Sequence, residues 1–342
     1  MFVLRDVSTD DLDDLHAAAR HLDSVNLPDD RAYLTALIDL SSRSFAGKAE
    51  VAARRFVFVL VDEARGRVVG ASSIFARHGT PRAPHIYFDV IEEQRYSETL
   101  DKHVAHRVLR IGYDYQGLTE IGGLVLLPEY RHHPEQLGRL LSYVRFLFIA
   151  RHRAEFCKEV VSELMPPLEA DGTSLLWESL GRRFTGLTYQ EADRLSHENK
   201  EFIRTLFPQD PLYATLLPEH VQQLIGQVGP KTKGVEKMLR DVGFEYAHRI
   251  DPFDGGPHFH AATDEITAVA AVRTARVAGG DPAATDVLRR TLLAREAATA
   301  PRFLAVKAMV PAPANDGTLA VPHAARQALG LAAGDEVAVL PF

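Results

Sequence analysis

Apolar positions recur along this chain in two rhythms, and the switches between them outline its elements. Phe2 to Arg5 reads as a strand. "STDD" follows, with Ser8 as N-cap and Asp11 three residues on, a capping-box pattern. Leu12, Leu15 and Ala19 then fall at helical spacing. A second helix is expected after Pro28. "RRFVFVLVDEARGRVVGASSIFAR" predicts a hairpin: strand 55–61, a turn at Gly66, strand 67–76. "HIYFDVIEE", "TEIGGLVLLP" and "CKEVVSELM" predict further strands, the second carrying Gly122 and Gly123, where a bulge or a close backbone approach is expected. Between the last two, "RHHPEQLG" turns into a long apolar helix opened by Gly138. "SLLWESLGRRF" predicts a short helix ending near Gly181.

Residues 188–228 read as mostly helical. "GVEKMLRDVGFEYAHRIDPFDGGPHFH" predicts a helix stopped at Gly243, a strand and a Gly-rich turn. The Ala- and Arg-rich stretch 264–300 is expected to be partly helical. Strands at 302–309, 318–321 and 335–340 close the chain, with a helix at 322–329 stopped by Gly330. The order predicts an α/β fold: a mixed sheet with flanking helices, then a second α+β half ending in a small β module. Two domains are expected, 1–188 and 189–342. The second divides into a helical part 189–240, a strand–turn region 241–263 and a β module 301–342.

Length agrees, since 342 residues suggest about two domains. Apolar residues at 46% supply a core, and a net charge of −7 gives no reason to expect nucleic acid or an acidic membrane. The single cysteine, Cys157, excludes an internal disulfide and a Cys-based zinc site. The N-terminus lacks the basic and long apolar runs of a signal peptide, and "FVFVLV" and "FLFIA" are too short to cross a bilayer. A cytoplasmic protein is expected, with no membrane and no nucleic acid as partner.

The strand–turn–helix at Leu126–Phe148 can be plain connection or an anion cradle, because a helix start presents unpaired N–H groups. His258 and His260 alternate on one strand face. With Asp251 or Asp254 nearby a metal is imaginable, but paired histidines on strands are common without one, and none is expected.

The first half resembles the GNAT acyltransferase fold. "GTSLLWESLGRRF", "NKEFIRTLFPQDPLY", "LIGQVGPKT", "GVEKMLRDVGFEY" and "IDPFDGGP" occur in order. Together they resemble the arginine N-succinyltransferase family, over nearly the whole chain. The resemblance implies transfer of succinyl from succinyl-CoA to the α-amine of arginine, with no permanently bound cofactor. It implies acyl-CoA contacts at Leu124 and Val125, and at the turn Arg131–Gly138 with Arg139; Arg145 is a further phosphate partner. The turn retains one glycine where the GNAT pattern has two, and it is longer. Asn26, Glu163 and Asp254 are the expected amine-side residues, Asn26 lying where the family has Thr-Ser-Leu-Pro and this chain has Val25-Asn26-Leu27-Pro28.

The family's proton-donor histidine falls in Gly-Gln-Val-His-Pro, and this chain has Gly229 there. His220, Tyr213, His258 and His260 are the alternatives for a proton-transfer group. Cys157 offers no covalent route. Gly229 also motivates another reading, a non-catalytic or weakly active partner subunit of a paralogous chain; a homo- or hetero-oligomer is expected either way. The tail "GTLAVPHAARQALGLAAGDEVAVL" is similar to AbrB-type DNA-binding modules. Gly317–Phe342 nevertheless holds one Arg and no Lys, a poor match for a phosphate backbone.

Overall fold

The computed structural model describes residues 1–21, 27–80 and 83–342. Its strands, in chain order, are β1 (Phe2–Asp6), β2 (Arg55–Asp62), β3 (Arg67–His78), β4 (His85–Ser97), β5 (Lys102–Asp114), β6 (Leu118–Leu126), β7 (Glu159–Glu163), β8 (Leu212–Tyr213), β9 (Glu245–Ile250), β10 (Pro257–Ala262), β11 (Arg273–Val277), β12 (Arg289–Glu296), β13 (Phe303–Val310), β14 (Thr318–Leu319) and β15 (Glu336–Pro341). Two compact units interleave in sequence. Unit 1 comprises Met1–Arg77, Thr119–Lys158 and Ala262–Phe342; unit 2 comprises His78–Leu118 and Glu159–Ala261. Sequence reading drew a single boundary after residue 188. The division seen here follows strand partners instead, which bring the first and last segments together.

In unit 1 the strands run in the order β14-β11-β15-β12-β13-β1-β2-β3-β6. β1 pairs antiparallel with both β2 and β13, and β11 pairs parallel with β14, so the sheet is mixed. The C-terminal module therefore extends the sheet through β13. Helices Arg31–Phe45 and Leu137–Arg151 carry apolar faces. Phe45, Phe56, Phe58, Phe148 and Phe303 meet there with ring centroids 4.7–6.5 Å apart, mostly edge to face, a geometry that adds to the apolar burial. Ser41 and Ser44 of the first helix accept from the β2 backbone N–H groups of Val57 and Arg55, which satisfies donors that would otherwise be buried at a cost.

Unit 2 holds β7-β10-β9-β4-β5-β8. Its core gathers Ile86, Phe88, Leu109, Trp177, Ile203, Phe207, Val221, Ile250 and Phe253 from strands and short helices. Trp177, the chain's one tryptophan, stacks on Phe253 at 5.1 Å and 6°.

The capping box at Ser8 and Asp11, the hairpin at Gly66, the helix after Pro28 and the Gly330 stop all form as expected. Two stretches differ. Lys102–Asp114 is a full strand, although its polar residues hid the alternation. The region expected to be partly helical at 264–300 supplies β11 and β12, with only Thr267–Ala270 an α-helix. β12 lies between β13 and β15, and Thr291, Leu292, Leu293 and Ala294 are all buried. Burial of that run on both faces outweighs the high helix propensity of Ala and Arg.

Candidate active site

Unit 1 carries the strand–turn–helix at Leu126–Phe148. Within β6, Gly123 has a left-handed φ of 58°, a conformation that favours glycine. β3 approaches it so closely that a Cβ on Gly70 would stand 2.6 Å from Val125 O. Leu124 is half-buried and Val125 fully buried. The chain then turns through His132 (φ 66°) and Gln136 (φ 57°) into helix Leu137–Arg151. These two left-handed residues aim the helix start, and the N–H groups of Leu137 and Gly138 have no carbonyl one turn back to bond. A Cβ on Gly138 would meet no atom within 4 Å, so open space lies above the first turn.

The basic residues around this turn differ in what they can reach. Arg131 is exposed and bonds Leu126 O through Nε at 3.1 Å. Arg139 bonds the Tyr143 hydroxyl at 3.0 Å and lies over the Tyr143 and Phe342 rings. Arg145 does not face the turn at all. It is 1% exposed, donates to Ser142 O and Oγ, and burial pulls its pKa down to about 9. A guanidinium enclosed in that way receives no phosphate. Two cations that sequence reading missed do border the turn: Arg290 donates to Gln136 Oε1 at 2.6 Å, and Lys307 pairs with Glu135 at 2.6 Å. Both come from strands distant in sequence.

Unit 2 gathers several of the other expected residues. β7 ends at Glu163, and the following Met165–Pro166 segment packs against Gly229, whose N–H donates to Met165 O at 2.8 Å. Gly226 N donates to Gly255 O, which joins the "GQVG" segment to the "DGGP" turn. Gly226 and Gln227 also line a cavity of about 1100 Å³ with Glu92, Arg107, Tyr246 and His248. Glu163 Oε1 lies 3.5 Å from His85 Nδ1 and 3.7 Å from His258 Nε2. The two imidazoles are 2% and 1% exposed, with ring centroids 5.1 Å apart. Burial, then the nearby His78, His258, Lys200 and Arg249, hold the His85 pKa well below that of a free histidine. Asp251 and His258 each place a carboxylate or imidazole atom within 4.8 Å of Glu163.

Asp254 Oδ1 accepts from Gly256 N at 2.7 Å, and Asp251 Oδ1 accepts from Phe253 N at 2.6 Å. Loss of water and then repulsion from Asp251 push the Asp254 pKa well above the ordinary carboxylate value. For the same two reasons Asp193 rises to about 6. Unit 2 thus concentrates carboxylates whose charge awaits a cation.

The remaining expected residues lie apart from this cluster or outside the described chain. His220 is exposed on helix Glu219–Leu224. Tyr213 bonds Glu93 and Arg95 at the far edge of the unit 2 sheet. His260 pairs with Glu159 at 2.5 Å, a contact that raises the histidine's pKa and lowers the carboxylate's. Asn26 lies outside the described residues. Asp193 and His85 were missed by sequence reading, because neither sits in a spacing that marks chemistry; only the fold brings them to Glu163 and Asp254.

Comparison with known proteins gives this geometry a context. The family model described as arginine N-succinyltransferase beta subunit matches residues 2–268. The arginine N-succinyltransferase subunit beta of Pseudomonas aeruginosa is 34% identical over 343 residues, covering 99% of this chain and 98% of the relative. The arginine N-succinyltransferase of Yersinia enterocolitica is 35% identical over 272 residues, covering 79% of this chain and 78% of that one. The solved structure of arginine/ornithine succinyltransferase subunit AI from P. aeruginosa superposes with a TM-score of 0.83 at 29% identity, covering 100% of this chain and 98% of that one. The protein is an acyltransferase, of a kind that uses acyl-CoA as co-substrate and acts on small molecules. More particularly, the chain belongs to the arginine N-succinyltransferase family. Nothing in these comparisons supports DNA binding by the tail or a non-catalytic role for the chain. Among the described residues no helix is long and apolar enough to cross a membrane.

Proposed function

We propose that this chain transfers succinyl from succinyl-CoA to the α-amine of arginine, by direct attack of the amine on the thioester. The observation that carries the reading is similarity along the full length, 34% over 99% of the chain, to a protein named arginine N-succinyltransferase subunit beta. In unit 1, the open N-terminus of helix Leu137–Arg151 suits a pyrophosphate, which the N–H groups of Leu137 and Gly138 would receive. Arg131 and Arg290 stand beside it as cations, with Arg139 one turn into the helix. The backbone at Leu124 and Val125 is the strand on which the pantetheine arm would lie, where an N–H can stabilise the developing oxyanion. In unit 2, Glu163 and Asp254 are the amine-side residues, a carboxylate being the natural fork for a guanidinium. Ornithine is a second acceptor to try, since the protein of the similar solved structure is named for both amino acids.

The same reading puts the enzyme in the cytoplasm with its acyl donor. It also makes the chain part of an oligomer, since the matching family model and relative are named as subunits. Light scattering on the purified chain, alone and with a paralogous partner, tests the assembly. Thiol release from succinyl-CoA tests the reaction: the rate should rise with added arginine and saturate. Folded protein that releases no thiol with arginine or ornithine would reject it.

A further inference from the structure

Glu163 has a front and a back. The side chain is 22% exposed at the end of β7, and behind its Oε1 stand two enclosed imidazoles at 3.5 and 3.7 Å. His85 comes from the first residue of β4 and His258 from the second of β10. The fold therefore uses three strands to bring a carboxylate and two buried histidines to one point. Burying polar rings costs free energy. An apolar core strand would gain nothing from histidine at either place.

The surrounding charges constrain the protonation of this trio. His78 lies edge-on to His85 at a centroid distance of 4.8 Å. Lys200 and Arg249 face His85 from the helical segment and from β9, and both disfavour an imidazolium there. Asp251 faces Glu163 and His258 from the β9–β10 turn. At neutral pH His85 is thus a neutral ring. A neutral ring behind a carboxylate can donate an N–H and fix its position, which leaves the carboxylate itself as the proton's receiver.

Acylation of an amino acid needs such a receiver. The acceptor arrives mostly as an α-ammonium, which cannot attack a thioester. A lone exposed carboxylate, with a pKa near ~4.3, holds that proton poorly. A carboxylate closed behind by enclosed rings and covered in front by bound substrate would lose water, which raises its pKa toward neutral and makes it a better receiver. Separations of 3.5 and 3.7 Å are within the range that tightens to hydrogen-bond length when substrate is present.

We propose that Glu163, backed by His258 and His85, receives the proton that the acceptor's α-ammonium gives up before acyl transfer. This rests on reading the chain as an acyltransferase of a basic amino acid. One N–H bond of the ammonium breaks, and the proton passes to the Glu163 carboxylate, which the two rings hold in place. The freed lone pair forms the N–C bond at the thioester carbon. Collapse of the tetrahedral adduct breaks C–S and leaves the electron pair on sulfur. The surplus amide proton goes to the thiolate, and Glu163 returns its proton to water. Glu163 is the catalytic residue in this scheme, while His258 and His85 are positioning residues that act through it.

The test compares pH–rate profiles of wild type and Glu163→Gln with saturating succinyl-CoA, each shown folded by thermal melting. At pH 7 the variant should lose about 100-fold or more in kcat on arginine, in the range general bases contribute. The deficit should shrink as pH rises toward the amine's own pKa, and shrink at pH 7 with arginine amide, whose α-amine is less basic. His258→Asn should lose less and should move the acidic limb of the profile. Glu163→Asp keeps the charge but withdraws it by one methylene. If the glutamine variant folds poorly, the aspartate variant should show the same pH-dependent deficit. A Glu163 deficit that is equal at every pH and for both amines, in an otherwise active enzyme, would overturn the proposal. A wild type with no activity would instead reject the acyltransferase reading beneath it.

Discussion

Gly229 lies so close to Pro166 that a Cβ on the glycine would stand 2.5 Å from the proline's carbonyl oxygen, and 2.9 Å from that of Met165. Both obstacles are backbone, which cannot swing aside. The φ of −65° at Gly229 is ordinary, so space and not backbone strain is what demands glycine there. The missing imidazole at this position is therefore part of how the β7 end and the "GQVG" segment pack.

Introducing a side chain at that point should destabilise the fold. Gly229→Ala and Gly229→His are each expected to cost about 1–3 kcal/mol, the usual range for overpacking. Urea denaturation midpoints check this. The histidine variant should also gain no activity, because the segment must shift to hold it.

Asp193 predicts a pH-dependent stability of particular sign. Its folded pKa of about 6 lies above the 3.8 of a free aspartate, so between those values the native state binds the proton more tightly than the unfolded chain does. The stabilisation this proton gives is present below about pH 4 and lost as pH rises through 6. Asp193→Asn should therefore melt at a higher temperature than wild type at pH 7.5, and the advantage should vanish near pH 4. Thermal melts across that window decide it.

If arginine is received near Asp254 and Asp193, its cation should draw protons off both carboxylates, whose pKa values now stand high. Calorimetric titration of arginine at pH 6 in buffers of different ionisation enthalpy should report net proton release, falling away toward pH 8.

The cradle makes a paired prediction. Gly138→Glu fills the open space above the first helical turn with an anion, and should weaken CoA binding at least 10-fold. Arg145→Met should leave CoA affinity unchanged, since that guanidinium is enclosed and bonded to its own helix. It should also cost little stability, because replacing a buried charge by a hydrophobe is often neutral. Isothermal titration with CoA tests both.

Much of the fold was legible in the chain because local rules and tertiary packing agree there. The capping box at Ser8 and Asp11, the Gly66 hairpin and the Gly330 stop each follow from residues a few positions apart. β12 was not legible. Its Ala and Arg residues favour helix locally, and only the partners β13 and β15 make it a strand. The site divides in the same way. The turn before Leu137 is local and was anticipated, whereas Arg290 reaches Gln136 across 154 positions of sequence. Glu163 and His258 were named, but their approach to each other and to His85 depends on three strands whose order no single sequence states. Arg145 was misplaced because an arginine inside an apolar helix looks the same on paper whether it faces solvent or core.

The most direct measurement is an assay of the isolated chain with succinyl-CoA and arginine, following free thiol and the mass of the amino-acid product together. Equal amounts of thiol and of arginine carrying one succinyl group on its α-nitrogen are the predicted result. Well-folded protein that forms neither, or that releases thiol without modifying arginine, would contradict it.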